Sequence, residues 1–151
     1  MKANELQINN FLQTPTVQFV IPVYQRNYDW TTYQCGDLLR DIISVEQDNR
    51  GTHFIGSIVF IHEGAYSTSE VKELVIIDGQ QRLLTITILM AVLRDAMKSL
   101  DQEKSKLYQR KAISIENWKG GEAYRIIPSD TLKDYFIQNI QILIALLRTV
   151  Y

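Results

Sequence analysis

Cysteine and histidine are scarce in this chain of 151 residues, which contains one cysteine and two histidines. Because Cys35 has no second cysteine to pair with, no internal disulfide can form, and we expect a reducing, cytoplasmic setting. His53 and His62 are widely separated from Cys35 along the chain, and that spacing does not match a zinc site. The composition therefore predicts a fold that forms without disulfide bonds or structural zinc.

Long apolar runs and an excess of charge of either sign are absent as well. No stretch of about 18 apolar residues occurs, so no membrane-spanning helix is expected, and the N-terminus lacks the apolar segment of a signal peptide. The formal net charge is -1, which gives no global attraction to nucleic acid or to an acidic membrane. Nucleic-acid binding would have to depend on a local basic patch or on another domain.

The apolar pattern predicts one mixed α and β domain over residues 1–151. Helices are expected at 4–12, 31–47, 82–100, 102–113 and from 129 onward, and strands at 17–22, 54–61, 73–77 and 124–127. The helix that begins near Arg82 is long and apolar on most sides, which is typical of a central helix. The apolar segment 142–150 indicates either a C-terminal helix that docks on the core or a partial chain.

The strongest local feature is a strand that runs into Asp78-Gly79-Gln80-Gln81-Arg82, a sharp turn that opens a helix. N–H groups in the first turn of a helix lack intrahelical acceptors, and together with the helix dipole they favour an anion. Gly79 permits a positive φ and a close backbone approach, Gln80 and Gln81 add amide groups, and the guanidinium of Arg82 suits phosphate oxygens. The segment predicts an anion site; the alternative is ordinary turn chemistry in which Asp78 caps the helix.

A second candidate is the stretch from Tyr24 to Trp30, which mixes aromatic and polar side chains. Aromatic rings beside Arg26 can stack a base or a sugar while the guanidinium contacts phosphate. The alternative is that Tyr24, Tyr28 and Trp30 pack in the core and that Arg26 pairs with Asp29. The residues by themselves leave both interpretations open.

The remaining polar features are interpreted more modestly. His53, at the entrance of an expected strand, is either a ligand or acid–base group or an ordinary surface residue. Cys35 has no partner histidine and is expected to be an inert helix residue. The mixed charges of residues 94–111 are expected to form a solvated face. The chain contains neither a Walker A loop nor a His-rich nuclease motif.

Four ordered motifs together resemble the N-terminal domain family of the GmrSD restriction endonucleases. The residues that carry the resemblance are Ile21-Pro22, Tyr24-Gln25-Arg26, Tyr28 and Trp30; then Phe54 and Gly56-Ser57-Ile58; then Ile77-Asp78-Gly79-Gln80-Gln81-Arg82-Leu83 and Thr85; and finally Tyr124 to Asp130 with Asp134-Tyr135-Phe136. The resemblance spans roughly residues 5–140. Four motifs in one order at compatible spacings are far more specific than any one of them.

The resemblance implies a fold like that of ParB and sulfiredoxin, an α+β arrangement in which a small sheet is combined with helices. In that wider group a Gly-x-x-Arg turn at a helix N-terminus holds a phosphate, and here the matching turn is Gly79 to Arg82. The resemblance also implies a regulatory domain that binds and hydrolyses GTP or another NTP in a modification-dependent, type IV-like restriction system that defends against phage.

Site roles follow from the resemblance and the chemistry together. Phosphate binding is expected from the 79–82 turn and from Arg26 with Gln25 beside it, and base stacking from Tyr24 or Trp30. Catalysis is expected from Asp78, Gln81 and Arg82, with Asp78 also holding Mg²⁺. Expected partners are the nucleotide, DNA in the full-length system, and a His-Asn-His-type nuclease domain or subunit; oligomers are compatible with the sequence.

The chain departs from the family in its length, since relatives run to several hundred residues. We therefore expect a partial or truncated member that lacks the C-terminal nuclease domain and does not cleave DNA alone. Three alternatives stay open: a ParB-like DNA-binding module without hydrolysis, a nuclease in which Asp78 meets Glu73 or Asp29 at a metal, and a fragment that docks on a nuclease subunit through residues 142–150.

Overall fold

The computed structural model describes residues 4–14, 16–26, 28–62, 71–116 and 122–127. Within these ranges the chain has a mixed α and β fold with a four-stranded sheet, a two-stranded sheet and four α-helices. The elements are α1 Ile8–Leu12, β1 Val17–Val20, α2 Thr32–Gln47, β2 Val59–His62, β3 Lys72–Asp78, α3 Gln80–Met97, α4 Gln102–Tyr108, a π-helical turn Gln109–Ile113, β4 Ser114–Glu116, β5 Glu122–Tyr124 and β6 Ile126–Ile127. The expected α+β class is confirmed.

The larger sheet has the strand order β2-β3-β1-β6. Strand β1 pairs in parallel with β3 and with β6, and Phe19 lies opposite Leu74 on one side and Ile126 on the other. Strands β2 and β3 form an antiparallel pair. Because β1 and β3 are parallel, the chain leaves both strands at the same edge of the sheet. The segment after Val20 and the turn after Asp78 therefore emerge side by side.

The core joins the sheet to helix α3. Phe19 of β1, Ile76 of β3 and Leu83 of α3 are each fully buried in one apolar cluster. The seven consecutive residues Leu83–Leu89 are all buried, so the first half of α3 is covered on every side. At roughly 1.5–3 kcal/mol for each fully buried large apolar side chain, this packing holds the start of α3 firmly against the end of β3.

Helix α2 begins where the sequence predicts it. Thr31 is the N-cap, its hydroxyl accepts a hydrogen bond from the N–H of Tyr33 (3.2 Å), and the Gln34 side chain accepts one from the N–H of Thr31 (2.9 Å). This is a reciprocal capping box. On helix α2, Leu38 and Leu39 are buried, whereas Ile42 is exposed.

Several expected bounds were wrong. The strand expected over 54–61 is regular only over Val59–His62, because Gly56 adopts a φ of +103° that breaks the extended backbone. Helix α1 begins only at Ile8, and α3 runs from Gln80 to Met97 rather than from 82 to 100.

The second half of the described chain also differs from expectation in detail. The helix expected over 102–113 is an α-helix followed by the π-helical turn. The strand expected over 124–127 is divided at Arg125, whose N–H donates to the carbonyl of Ile113 (2.8 Å) and whose carbonyl accepts from the N–H of Phe19 (2.8 Å). The chain passes from the small sheet to the large one at this residue.

Residues 63–70, the helix expected from 129 and the apolar segment 142–150 lie outside the described residues. In the described part of the chain, no helix has both the length and the apolar character that crossing a membrane requires.

Candidate anion-binding site

Two segments that the sequence singled out meet at one edge of the large sheet. The stretch from Tyr24 to Trp30 follows β1, and the turn at Gly79 follows β3. A hydrogen bond from Nε2 of Gln25 to the carbonyl of Ile77 (3.2 Å) joins the first segment to the end of β3. The parallel pairing of β1 and β3 therefore brings together residues more than fifty positions apart in the chain.

Gly79 forms the turn that sequence reasoning expected. Its φ is +87°, a left-handed conformation that favours glycine, and a Cβ atom here would lie 2.8 Å from the carbonyl oxygen of Ser57. Gly79 is itself the N-cap of α3, and a glycine has no side chain with which to cap the helix. The alternative in which Asp78 caps the helix is therefore wrong. The first hydrogen bond of the helical i→i−4 pattern runs from the N–H of Leu83 to the carbonyl of Gly79 (3.0 Å). The N–H groups of Gln80 and Arg82 therefore lie before the first bond of that pattern.

Arg82 lies half-buried against the loop that precedes β2. Its Nη1 donates to the carbonyl oxygen of Ser57 at 2.9 Å. A Cβ atom on Gly56 would lie only 2.6 Å from Cζ of Arg82, so the guanidinium rests on the bare backbone of this glycine. Arg82 forms no ion pair with any residue that the structure describes. One backbone contact thus positions its charge, and no carboxylate of the described chain neutralises it.

Gln80 and Gln81 are buried, each with 4% of its surface exposed. Nε2 of Gln80 donates to the carbonyl of Arg26 (2.9 Å), and Oε1 of Gln81 accepts from the N–H of Asp29 (3.1 Å). Both side chains therefore tie the segment after β1 to the start of α3. Among the described residues, Oε1 of Gln80 is a buried oxygen with no hydrogen-bond donor, and a buried acceptor in this state costs about 1–3 kcal/mol.

The aromatic residues of the stretch from Tyr24 to Trp30 do not all follow the same one of the two interpretations that the sequence left open. Tyr28 is buried in the core and its hydroxyl lies 2.7 Å from Oγ1 of Thr85 and 3.3 Å from Sγ of Cys35. Burial is the main reason that the pKa of Tyr28 is raised well above its usual range. Trp30 is partly buried and packs against the core, whereas Tyr24 is 74% exposed.

Arg26 pairs with Asp29, as the alternative interpretation expected. Nη1 of Arg26 lies 3.4 Å from Oδ2 of Asp29, and both side chains are more than half exposed. An exposed pair of this length contributes little to stability. Arg26 is therefore able to exchange the carboxylate for another anion at small cost.

These residues enclose a small cavity of about 190 Å³. It is lined by Gln25, Arg26, Trp30, Ser57, Ile77, Asp78, Gly79, Gln80, Gln81 and Arg82. The structure thus gathers every expected site residue except Tyr24, and at the aromatic position it places Trp30 instead. Two arginines, one carboxylate and the positive end of α3 meet there, which makes the cavity favourable for an anion.

Two further expectations concern metal binding by Asp78 and the role of His53. The described residues contain no group of three or more His, Cys, Asp or Glu side chains that is placed to hold a metal ion. Asp78 supplies the one carboxylate among the described residues that line the cavity. Mg²⁺ commonly takes one or two carboxylates and completes its shell with phosphates and water, so the residues fit such an ion only together with a phosphate ligand. His53 lies away from the cavity, 3.5 Å from Asp41.

Sequence reasoning missed Ser57 and the specific role of Gly56. Both belong to the stretch 54–58, which was interpreted as the start of a strand. The available signal was the glycine itself, since a glycine inside an expected strand often marks a bulge or a close approach of another group. Here that group is the guanidinium of Arg82.

A comparison with protein families supports the resemblance that the motifs suggest. A family model described as the N-terminal domain of the GmrSD restriction endonuclease matches residues 8–148. The matched range includes all residues that line the cavity. A comparison with curated proteins gave no match.

Proposed function

The chain belongs to the family of the GmrSD restriction endonuclease N-terminal domain, and from this premise we propose that it binds a nucleoside triphosphate and hydrolyses it. The domain would regulate a modification-dependent restriction system that defends against phage. The observation that carries the proposal is the placement of Arg82. This residue lies in the first turn of α3 and lines the cavity, and its guanidinium rests on Gly56 of the loop before β2. No described carboxylate neutralises it. A guanidinium that is held in place without a carboxylate partner favours the binding of an anionic ligand.

Phosphate binding follows from the groups around that guanidinium. Arg82 uses Nη1 for the carbonyl of Ser57, and a guanidinium has further donors for phosphate oxygens. The N–H groups of Gln80 and Arg82 lie before the helical ladder and point toward the N-terminal end of α3, where the helix dipole favours negative charge. Arg26 supplies a second cation from the other segment once it exchanges Asp29 for phosphate.

The nucleoside end of the ligand would lie toward the residues after β1. Trp30 lines the cavity and offers an aromatic surface for a base. Oε1 of Gln80 has no donor among the described residues and requires one, and the ribose hydroxyls, the amino groups of a base and water all provide one. Gln25 lies at the same wall, anchored to Ile77.

Hydrolysis would depend on Asp78. Phosphoryl transfer relies mainly on positioning and on charge stabilisation. The carboxylate of Asp78 would hold Mg²⁺ together with the phosphates or orient the attacking water, and the bound ion would neutralise charge on the transferred group. Arg82 would stabilise the charge that develops in the transition state. Gln81, whose Oε1 holds the N–H of Asp29, would act by positioning this segment.

The wider setting is also part of the proposal. The small mixed sheet and the turn Gly79–Arg82 at a helix N-terminus are compatible with a ParB/sulfiredoxin-like fold. A His-Asn-His-type nuclease domain, in the same protein or in a partner, would cut DNA. The described residues offer no cluster of metal ligands for a nuclease centre, so cleavage by this chain is not proposed.

Isothermal titration calorimetry with GTP and ATP, each with Mg²⁺, tests the binding step. Arg82→Ala should weaken the affinity at least tenfold, about 1.4 kcal/mol. The matched control is Arg40→Ala, since Arg40 is an exposed arginine of α2 outside the cavity. Unchanged affinity in the Arg82 variant, or an equal loss in the control, contradicts the proposal.

Phosphate release under the same conditions tests hydrolysis separately. Asp78→Asn should retain nucleotide binding and lose most of the turnover, because the amide keeps the shape of the carboxylate but not its charge. Equal turnover in the wild type and the Asn variant would remove Asp78 from the mechanism and leave binding as the function of the site.

A further inference from the structure

A second cavity lies between the end of α3, helix α4 and the π-helical turn, and its volume is about 680 Å³. Among the described residues, four cationic side chains line it, namely Arg94, Lys98, Lys106 and Arg110, against one carboxylate, Glu103. We call this cavity the basic groove. Sequence reasoning interpreted the charges of 94–111 as a mixed solvated face, but the fold places four of the six cations of this stretch around one cavity.

The sorting follows from helical spacing. Arg94 and Lys98 are four residues apart at the end of α3, and Lys106 and Arg110 are four apart at the junction of α4 with the π-helical turn. Residues with this spacing lie on the same helix face, where two like charges destabilise a helix by a few tenths of a kcal/mol. Two such pairs lining one cavity indicate that the concentration of positive charge serves a ligand rather than the fold.

The walls of the basic groove are fixed by hydrogen bonds. Nη1 of Arg94 donates to Oε1 of Gln109 (2.6 Å), which joins α3 to the π-helical turn, and Oγ of the buried Ser105 donates to the carbonyl of Arg94 (2.9 Å). Irregular helical turns of this kind are frequent at functional sites. The cations therefore project from helices that are joined to one another by hydrogen bonds.

The cations differ in how far they are neutralised. Arg94 forms a two-pronged contact with Asp95, and Lys106 lies 2.9 Å from Glu103. Lys98 and Arg110 form no ion pair with any residue described by the structure. The pair of Lys106 is solvent-exposed and therefore weak, so three of the four cations are open to an external anion.

We propose that the basic groove binds the sugar–phosphate backbone of a nucleic-acid duplex, at a site separate from the cavity beside Arg82. Several cations along one concavity match a polyanion with regularly spaced phosphates. None of the described residues that line the groove is aromatic, so these residues offer no stacking platform of the kind on which proteins hold single strands. Contacts with phosphates alone position a duplex without reading its sequence.

Fluorescence anisotropy of the full chain with a labelled DNA duplex and a labelled RNA duplex of arbitrary sequence tests the proposal. Duplex affinity should fall steeply with salt between about 50 and 200 mM, with a log–log slope near -3 when three to four cations contact phosphates. Binding of either duplex supports the proposal that the groove contacts a sugar–phosphate backbone. Which of the two duplexes binds shows whether the ligand is DNA, RNA or both. No duplex binding at the lower salt concentration overturns it.

The double variant Lys98→Gln/Arg110→Gln should weaken duplex binding at least tenfold at low salt and reduce the slope by about two. The matched control is Arg40→Gln/Arg50→Gln, which removes the same charge from exposed positions of α2 and the turn after it. Equal losses in both proteins would show a general charge effect and overturn the proposal. The single variant Lys98→Gln provides a smaller change of the same kind if the double variant does not fold.

Two further arms test the identity of the ligand. A single strand that binds as tightly as the duplex, or polyglutamate that displaces the duplex at an equal charge concentration, would contradict a duplex backbone site. Arg82→Ala should keep full duplex affinity, since Arg82 lies outside the basic groove. Failure of the nucleotide-binding proposal would thus leave this one standing, and the reverse holds as well.

Discussion

The guanidinium of Arg82 lies on the α-carbon of Gly56. A Cβ atom on Gly56 would be 2.6 Å from Cζ of Arg82, and the neighbouring carbonyl of Ser57 accepts from Nη1 of the same guanidinium at 2.9 Å. One glycine therefore creates the space in which the arginine of the candidate site is held. The loop before β2 is part of that site even though it contributes no charge.

Gly56→Ala should remove this space. The new methyl group must displace the end of the Arg82 side chain, and φ of +103° is unfavourable for alanine. We expect a loss of about 1–2 kcal/mol in the free energy of unfolding and at least a tenfold loss of nucleotide affinity. Gly51→Ala is the control, because no atom lies within 4 Å of its Cβ position. Chemical denaturation and calorimetry measure both effects; nucleotide affinity that survives in the Gly56 variant argues against the observed position of Arg82.

Gln80→Met separates stability from ligand binding. Methionine loses the hydrogen bond to the carbonyl of Arg26 but also removes the buried oxygen that has no donor among the described residues. These effects oppose each other, so the free energy of unfolding without ligand should change by less than about 1 kcal/mol. Nucleotide affinity should fall if the ligand donates to Oε1. An affinity equal to that of the wild type would assign Gln80 a purely structural role.

Tyr28→Phe tests the buried hydroxyl chain beneath the site. The hydroxyl of Thr85 donates to the carbonyl of Gln81 (2.7 Å), so it accepts from Tyr28 at 2.7 Å. Loss of this bond should cost about 0.5–1.5 kcal/mol in the free energy of unfolding near neutral pH.

The same tyrosine predicts a dependence of stability on pH. Burial raises the pKa of Tyr28 in the folded protein, whereas the unfolded chain titrates near the usual value of about 10. The folded state then holds its proton more tightly, so this contribution is complete below pH of about 10 and is lost as the pH rises further. Urea denaturation from neutral to alkaline pH should show a steeper decline in the wild type than in Tyr28→Phe; parallel curves would refute the shift.

Arg125→Lys should destabilise the junction of the two sheets. Arg125 is buried, and its guanidinium donates to the carbonyls of Thr14 (3.0 Å), Val17 (3.4 Å) and Ser114 (3.3 Å). Burial lowers its pKa, but an arginine stays protonated across the usable range of pH. A single ammonium cannot reach all three carbonyls, so we expect a loss of about 1–3 kcal/mol. The exposed Arg110→Lys is the comparison; an equal, small effect at both positions would contradict the structural role of Arg125.

Local elements could be predicted where short-range chemistry specifies them. The sequence predicted a helix that begins near Thr31, which is the N-cap of α2, and Asp78-Gly79 predicted the turn in which Gly79 adopts a positive φ. Bounds were wrong where a distant group intervenes. The strand expected from Phe54 fails because Gly56 meets the side chain of Arg82. The strand expected over 124–127 is divided because the backbone of Arg125 bonds to Ile113 of the π-helical turn on one side and to Phe19 of β1 on the other.

The candidate site shows the same division. Turn chemistry identified Arg82 at the start of a helix, and the mixed composition of residues 24–30 identified Arg26 beside aromatic residues. Neither gave a reason to choose Trp30 over Tyr24. That choice depends on how the chain turns after β1. Likewise the four cations of the basic groove appear in the sequence among nearby acidic residues, and only the packing of α4 against α3 places them around one cavity.

The sequence by itself determined the mixed α and β class, the cap of α2, and a glycine turn that opens α3 with an arginine in its first turn. These properties arise from backbone sterics, capping and apolar periodicity, which act over a few residues. Only the tertiary structure decided that Arg82 rests on Gly56, that Gln81 holds Asp29, and that Arg94 and Arg110 line one groove. Those relationships depend on strand register and helix packing, because they join residues that are far apart in the chain and that no local pattern relates.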